Sequence, residues 1–201
     1  MGAPMIGHPD VRPTRSTSLF SALRPSLWAT PVCHALGMFD DLLAANRRYA
    51  SRFSLDGLAS RAAMGFGLVT CMDSRIEPLT MLGLAPGDAK ILRNAGGRVT
   101  ADVLRSLILA TAFLGVRRIA VMQHTDCALA HRTDESIRSD LPPDRMEGSE
   151  VWEFLAMPDP DASLRADVDA VRRCEGLAPG VTVEGWRYRV ETGEIVRLVG
   201  S

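Results

Sequence analysis

The 201-residue chain is 46% hydrophobic and 23% charged, a composition that suits one globular domain with a full core. Lys plus Arg (23) nearly balances Asp plus Glu (24), and the net charge of -1 carries no electrostatic footprint for nucleic acid or an anionic membrane. The longest apolar stretch, Leu107 to Val116, is far short of a bilayer span, and Cys33, Cys71, Cys127 and Cys174 are too few and scattered for a disulfide scaffold.

Residues 1–37 differ from the rest. They hold Pro4, Pro9, Pro13, Pro25 and Pro31, several Ser and Thr, and Asp10 as their one acid, with no helical or strand period. A transit peptide is also rich in Arg and Ser, but prolines at this density break its amphipathic helix. The segment reads as a disordered tail, or as residues upstream of a true start at Met38, with residues 38–201 as the folded domain. No uninterrupted apolar run follows a basic start, so no secretory signal is expected and the cytoplasm is the default location.

From Met38 the pattern turns helical. Phe39, Leu42, Leu43, Tyr49 and Phe53 recur at three- and four-residue steps, with Asp40, Asp41 and Arg47 between them. This helix stands before the first strand and needs an apolar surface on its own domain or on a partner subunit. Phe66–Cys71 reads as a buried strand, and Pro78 opens a short helical segment through Leu82. Ala89–Leu92 is a second strand, Thr100 caps a helix over Ala101–Leu114, and Arg118–Met122 is a third strand. Polar loops and turns follow His131, then a helix from about Ala162 to Cys174. Trp186–Val190 and Glu194–Val199 form a hairpin. The alternation predicts an α/β fold with a mainly parallel central sheet that is flanked by helices and covered on both faces.

Cys71 and His124 each fall at the carboxyl end of a predicted strand or just past it, the edge of an open α/β sheet where ligands bind. Cys127 follows His124 by three residues, so one turn can aim both side chains at one ion. Two thiolates and an imidazole suit Zn2+, and three protein ligands leave the open position of a catalytic site. Spacing by itself leaves other readings open: packed core thiols, a hydrogen-bonded loop histidine, or a redox pair. Asp73 and Arg75 follow immediately, where Arg75 can hold the carboxylate in a bidentate pair; a solvated turn is the plainer alternative. The small residues of Arg93-Asn-Ala-Gly-Gly97 allow close backbone approach to the site.

These segments carry a resemblance. Cys71-Met-Asp-Ser-Arg75, Arg93-Asn-Ala-Gly96 and His124-Thr-Asp-Cys127 resemble, in residues, order and spacing, the three signature segments of β-class carbonic anhydrases of the short bacterial type. Asp40–Tyr49 is similar to that family's leading helix. The resemblance covers roughly Met38 to the C-terminus. It implies zinc held by Cys71, His124 and Cys127, an Asp73–Arg75 dyad, and Asp73 as a fourth ligand in a closed state. It also implies a homodimer or homotetramer whose leading helix packs on the partner subunit. The implied activity is that of a carbonate dehydratase, a zinc lyase: zinc-bound hydroxide attacks CO2 to give bicarbonate and a proton. Hydrolysis of COS or CS2 on the same zinc scaffold is the nearer alternative; a non-catalytic zinc or thiol-sensing protein is the more distant one. One departure is Ala128, where the family usually has Gly; a left-handed backbone there would tolerate the methyl poorly. His131 is a candidate relay, though an exposed loop histidine is the preferred reading, and Cys174 reads as a packed thiol. Thiolate ligands favour a reducing compartment, since a disulfide would expel the metal.

Overall fold

The computed structural model describes residues 37–145, 148 and 151–201. It forms two units, divided after Phe53. In the first, α1 (Asp40–Ala50) carries Asp40 and Asp41 in its first turn and Arg47 and Arg48 in its last, matching the helix dipole at both ends. None of its residues is buried. Phe39, Leu42, Leu43, Tyr49 and Phe53 are exposed, so the apolar face expected from the periodicity is formed and solvent-facing in the single chain. The expected tail, with His8, Cys33 and His34, lies outside the described residues.

The second unit is built in the order β1 (Phe66–Cys71), α2 (Pro78–Met81), β2 (Ala89–Asn94), α3 (Ala101–Ala112), β3 (Arg118–His124), α4 (Asp134–Ser139), α5 (Pro160–Arg172), β4 (Thr182–Tyr188) and β5 (Ile195–Val199). One sheet orders its strands β2-β1-β3-β4-β5. The β1–β2, β1–β3 and β3–β4 pairs are parallel, and β5 returns antiparallel on β4 as the expected hairpin. Chain order reverses between β1 and β3, which makes their carboxyl ends the switch point of the sheet.

Every residue of β1 is buried, as a central parallel strand requires. Val69, Val121 and Val183 pack under Leu107 of α3 and Leu164, Val168 and Val171 of α5. On the other face Phe66, Leu68 and Met122 meet Ile76, Met157 and Tyr188, with Cys71 and Cys127 in the same cluster. Both faces are covered, as expected: the two long helices share one, while α2 and the chain around Leu129 and Met157 cover the other.

Two differences from the expected elements have local causes. The polar stretch after His131 contains α4, closed by a capping box in which Thr133 and Ser136 each bond the other's backbone N–H. The last parallel strand begins at Thr182, four residues before the expected Trp186, because Thr182–Gly185 pair with Arg118–Val121. Elsewhere β2 runs on to Asn94 and β3 to His124, so His124, like Cys71 of β1, is the final residue of its strand.

Candidate metal centre

Cys71 ends β1 and His124 ends β3, neighbouring strands at the switch point, so the sheet itself places them side by side. Asp126 takes a left-handed turn (φ 54°), and Cys127 follows it in the same cluster as Cys71. All three side chains are buried, and their ligating atoms lie within 4.8 Å of one another. A tetrahedral zinc with Zn–S near 2.3 Å and Zn–N near 2.0 Å needs ligand separations of about 3.5–3.8 Å, so the group closes on an ion with small side-chain movement.

The tautomer of His124 follows from its partner. Nδ1 lies 2.7 Å from the carbonyl oxygen of Thr125, which can only accept, so Nδ1 carries the proton and Nε2 presents its lone pair. Nε2 is buried and has no hydrogen-bond partner. An orphaned imidazole nitrogen beside two buried thiols fits a metal ligand set better than a packed core, and this donor set suits zinc. Of the two neighbouring thiols Cys71 is the more acidic and Cys127 keeps its proton: the Cys127 thiol, the His124 ring and backbone N–H groups of Asp73 and Gly96 lower Cys71 against the opposing effect of burial. The shared proton and burial push Cys127 up, against a backbone N–H from Leu129. A divalent cation held by both sulfurs as thiolates would take the place of that proton.

Asp73 and Arg75 form the expected bidentate pair: Nε to Oδ1 at 3.0 Å and Nη2 to Oδ2 at 2.8 Å, with the Arg75 backbone N–H adding a bond of 2.9 Å to Oδ1. The Arg75 hydrogen bonds hold the Asp73 carboxyl well below the usual carboxylate range. Asp73 Oδ2 also lies 3.8 Å from His124 Nε2, so the carboxylate borders the ligand set. Two partners were not foreseen. Asp126 accepts from Arg75 Nη1 at 2.7 Å, and Arg93 donates to the carbonyls of Cys71 (3.0 Å) and Asp73 (2.6 Å). The chain carried signals for both, an acid beside Cys127 and an arginine at the second strand end, but neither could be paired without the topology.

The Ala128 departure is accommodated: among the described residues the non-glycine left-handed positions are Asp126, His131 and Leu155. His131 is exposed and shares with His124, Thr125 and Arg187 the lining of a cavity of about 270 Å³. Cys174 lies just past the end of α5 as a half-buried free thiol and is not a member of the ligand group.

Residues 66–145 match the family model described as carbonic anhydrase. The chain is 32% identical over 156 residues to beta-carbonic anhydrase 1 of Mycobacterium tuberculosis, covering 78% of this chain and 94% of that protein. It is 33% identical over 148 residues to the carbon disulfide hydrolase of an Acidianus species, covering 62% and 72%. The crystal structure of carbonic anhydrase from Streptococcus mutans superposes with a TM-score of 0.75 at 35% identity, over 81% of this chain and 98% of that one.

Proposed function

Because the chain belongs to the β-carbonic anhydrase family, we propose that it catalyses the reversible hydration of carbon dioxide, CO2 + H2O ⇌ HCO3⁻ + H⁺, at a zinc site made by Cys71, His124 and Cys127. The observation that carries this reading is the convergence of two thiols and an unpartnered imidazole nitrogen within 4.8 Å, bordered by a carboxylate that a guanidinium grips. Bound there, zinc supplies a Lewis acid that lowers the pKa of a coordinated water toward ~7.

The chain's own residues orient the reaction. Asp73 is an acceptor only at neutral pH, because Arg75 keeps its carboxyl ionised. Its edge beside His124 accepts a hydrogen bond from the attacking water and turns the water's lone pair toward the carbon. Arg75 holds Asp73 through both carboxylate oxygens and is itself fixed by Asp126, an arrangement that would keep Asp73 from joining the ligand set. Arg93 steadies the backbone from Cys71 to Asp73 that carries both a ligand and the acceptor.

Hydrolysis of CS2 or COS is the second reading, favoured by the likeness to the Acidianus protein, and it uses the same ligands. A non-catalytic zinc or thiol sensor needs neither Asp73 nor Arg75, and the formed dyad argues against it. We place the exposed apolar face of α1 on a partner subunit of a homodimer or homotetramer, and assign the zinc domain to residues 38–201. No helix among the described residues is long and apolar enough to cross a membrane, and thiolate ligands suit the reducing cytoplasm. Purified protein should contain about one zinc per chain, since one ligand set is present. With CO2 and CS2 assayed in parallel on that protein, faster turnover of CS2 would replace the first reading with the second.

A further inference from the structure

We propose that the buried Arg98–Asp167 pair is a positioning element of the metal centre, which holds all three ligand-bearing segments and so sets zinc affinity without touching ion or substrate. The inference rests on the reading of Cys71, His124 and Cys127 as zinc ligands.

Charges leave water at a cost, and an apolar pair of similar volume in the same place is often neutral or stabilising. Asp167, on α5, and Arg98 have side chains only 5% and 14% exposed, so stability alone gives little reason for charges here. Asp167 Oδ2 accepts from Arg98 Nε at 2.7 Å and from Gln123 Nε2 at 3.4 Å, while Oδ1 accepts from Arg98 Nη2 and the Val99 N–H, each at 3.3 Å. Arg98 Nη1 donates to the carbonyl of Leu155.

Each of these contacts leads to one ligand. Arg98 and Asn94 close a loop on each other, Arg98 N–H to Asn94 Oδ1 at 2.9 Å and Asn94 Nδ2 to the Arg98 carbonyl at 2.7 Å. Asn94 pairs in register with Cys71, and its carbonyl accepts the Met72 N–H at 2.9 Å, so the loop is fastened beside that ligand. Gln123 immediately precedes His124, and its Oε1 has no partner, so Asp167 is what orients its amide. Leu155 sits in a left-handed turn (φ 55°) two residues before Met157. Met157 bonds the Leu129 carbonyl at 2.9 Å and the His131 N–H at 2.7 Å, and the Ala130 N–H between them donates to the Cys127 carbonyl at 3.0 Å. One guanidinium–carboxylate pair thereby ties together the supports of Cys71, His124 and Cys127. Removing an outer partner of metal ligands typically weakens metal binding about 10–100-fold.

The test uses two full-length variants, Arg98→Lys and the double Arg98→Met/Asp167→Leu. Three readouts are taken: zinc Kd by chelator competition, the visible absorption of the Co2+-substituted protein, and the Tm of the metal-free protein. Lysine keeps the charge but cannot fork to the carboxylate while reaching Leu155. We expect Arg98→Lys to bind zinc about 10–100-fold more weakly, with shifted cobalt bands. The apolar double variant should hold its metal-free Tm near wild type yet show the same weakened zinc Kd, which a merely structural pair would not produce. Either folded variant with wild-type zinc Kd and a superimposable cobalt spectrum overturns the proposal, as does failure of both to fold, which would make the pair a folding requirement. Wild-type protein that takes up no zinc overturns the ligand reading instead, and that is read before any variant is made.

Discussion

Replacing Gly97 by Ala measures how tightly the turn after β2 is pressed onto the strands that carry the ligands. Gly97 has φ 65°, and a Cβ added there would stand 2.9 Å from the backbone nitrogen of Cys71 and from the carbonyl oxygen of Met122, and 3.0 Å from the carbonyl carbon of Thr70. These are backbone atoms of the two central strands, so none can swing aside. The left-handed angle costs an L side chain roughly 1–2 kcal/mol, and forcing an extra methyl into a packed interior typically costs a further 1–3 kcal/mol, for a total of about 2–5 kcal/mol. Gly83 separates the two contributions, since its φ is also 65° but a Cβ there meets nothing within 4 Å. Each kcal/mol moves Tm by about 2–4 °C in a protein of this size. Gly97→Ala should therefore melt about 4–20 °C below wild type, and Gly83→Ala about 2–8 °C below it. Thermal unfolding of the metal-free proteins, checked by urea midpoints, reads the difference. Equal Tm values for the two variants would refute the close approach of Gly97 to the strand ends.

Cys71→Ser replaces a soft thiolate with a hydroxyl and should remove most of the zinc, read by metal analysis after gel filtration; full retention would contradict the ligand assignment. Arg75→Leu removes the largest cause of the lowered Asp73 carboxyl, which should rise toward its ordinary value. A folded-state pKa depressed below the unfolded value of about 3.9 gives stability that is present above that pH and lost as pH falls through the folded value. The stability gap between wild type and Arg75→Leu, measured on metal-free protein from pH 5 to 2, should therefore narrow as the pH drops; a constant gap would contradict it. Charging the α1 face with Leu42→Asp and Leu43→Asp should lower the oligomeric mass in light scattering, whereas an unchanged mass would remove α1 from the interface.

The parts of the fold legible in the chain are those with strong local chemistry. The six apolar or small residues of β1 and the Thr100 cap, whose side chain accepts from the Val103 N–H, announce themselves without tertiary knowledge. The α4 helix does not, because none of its residues is buried and no apolar period marks it; its signal was Thr133 three residues before Ser136. The start of β4 is hidden by Gly185, a poor strand former. It is there because a Cβ would stand 2.9 Å from Val168 Cγ2 and 3.0 Å from Val199 Cβ, and because a register shift against β5 falls beside it. At the site, Cys71, His124 and Cys127 stood out as donor types at strand ends. Asp126 and Asp167 did not, since their partners Arg75 and Arg98 are 51 and 69 residues away and only the folded sheet brings them together. Arg93 was visible but had no assigned task until its bonds to the Cys71 and Asp73 carbonyls were in place.

Stopped-flow CO2 hydration by zinc-loaded wild type and Asp73→Asn, matched for zinc content and assayed across neutral pH, tests the proposed reaction directly. Wild type should turn over CO2 and Asp73→Asn should lose most of that turnover at unchanged zinc, because the asparagine amide lacks the carboxylate's acceptor charge beside His124. Zinc-loaded wild type that hydrates CO2 no faster than buffer would contradict the proposed reaction, and equal rates in the two proteins would contradict the role given to Asp73.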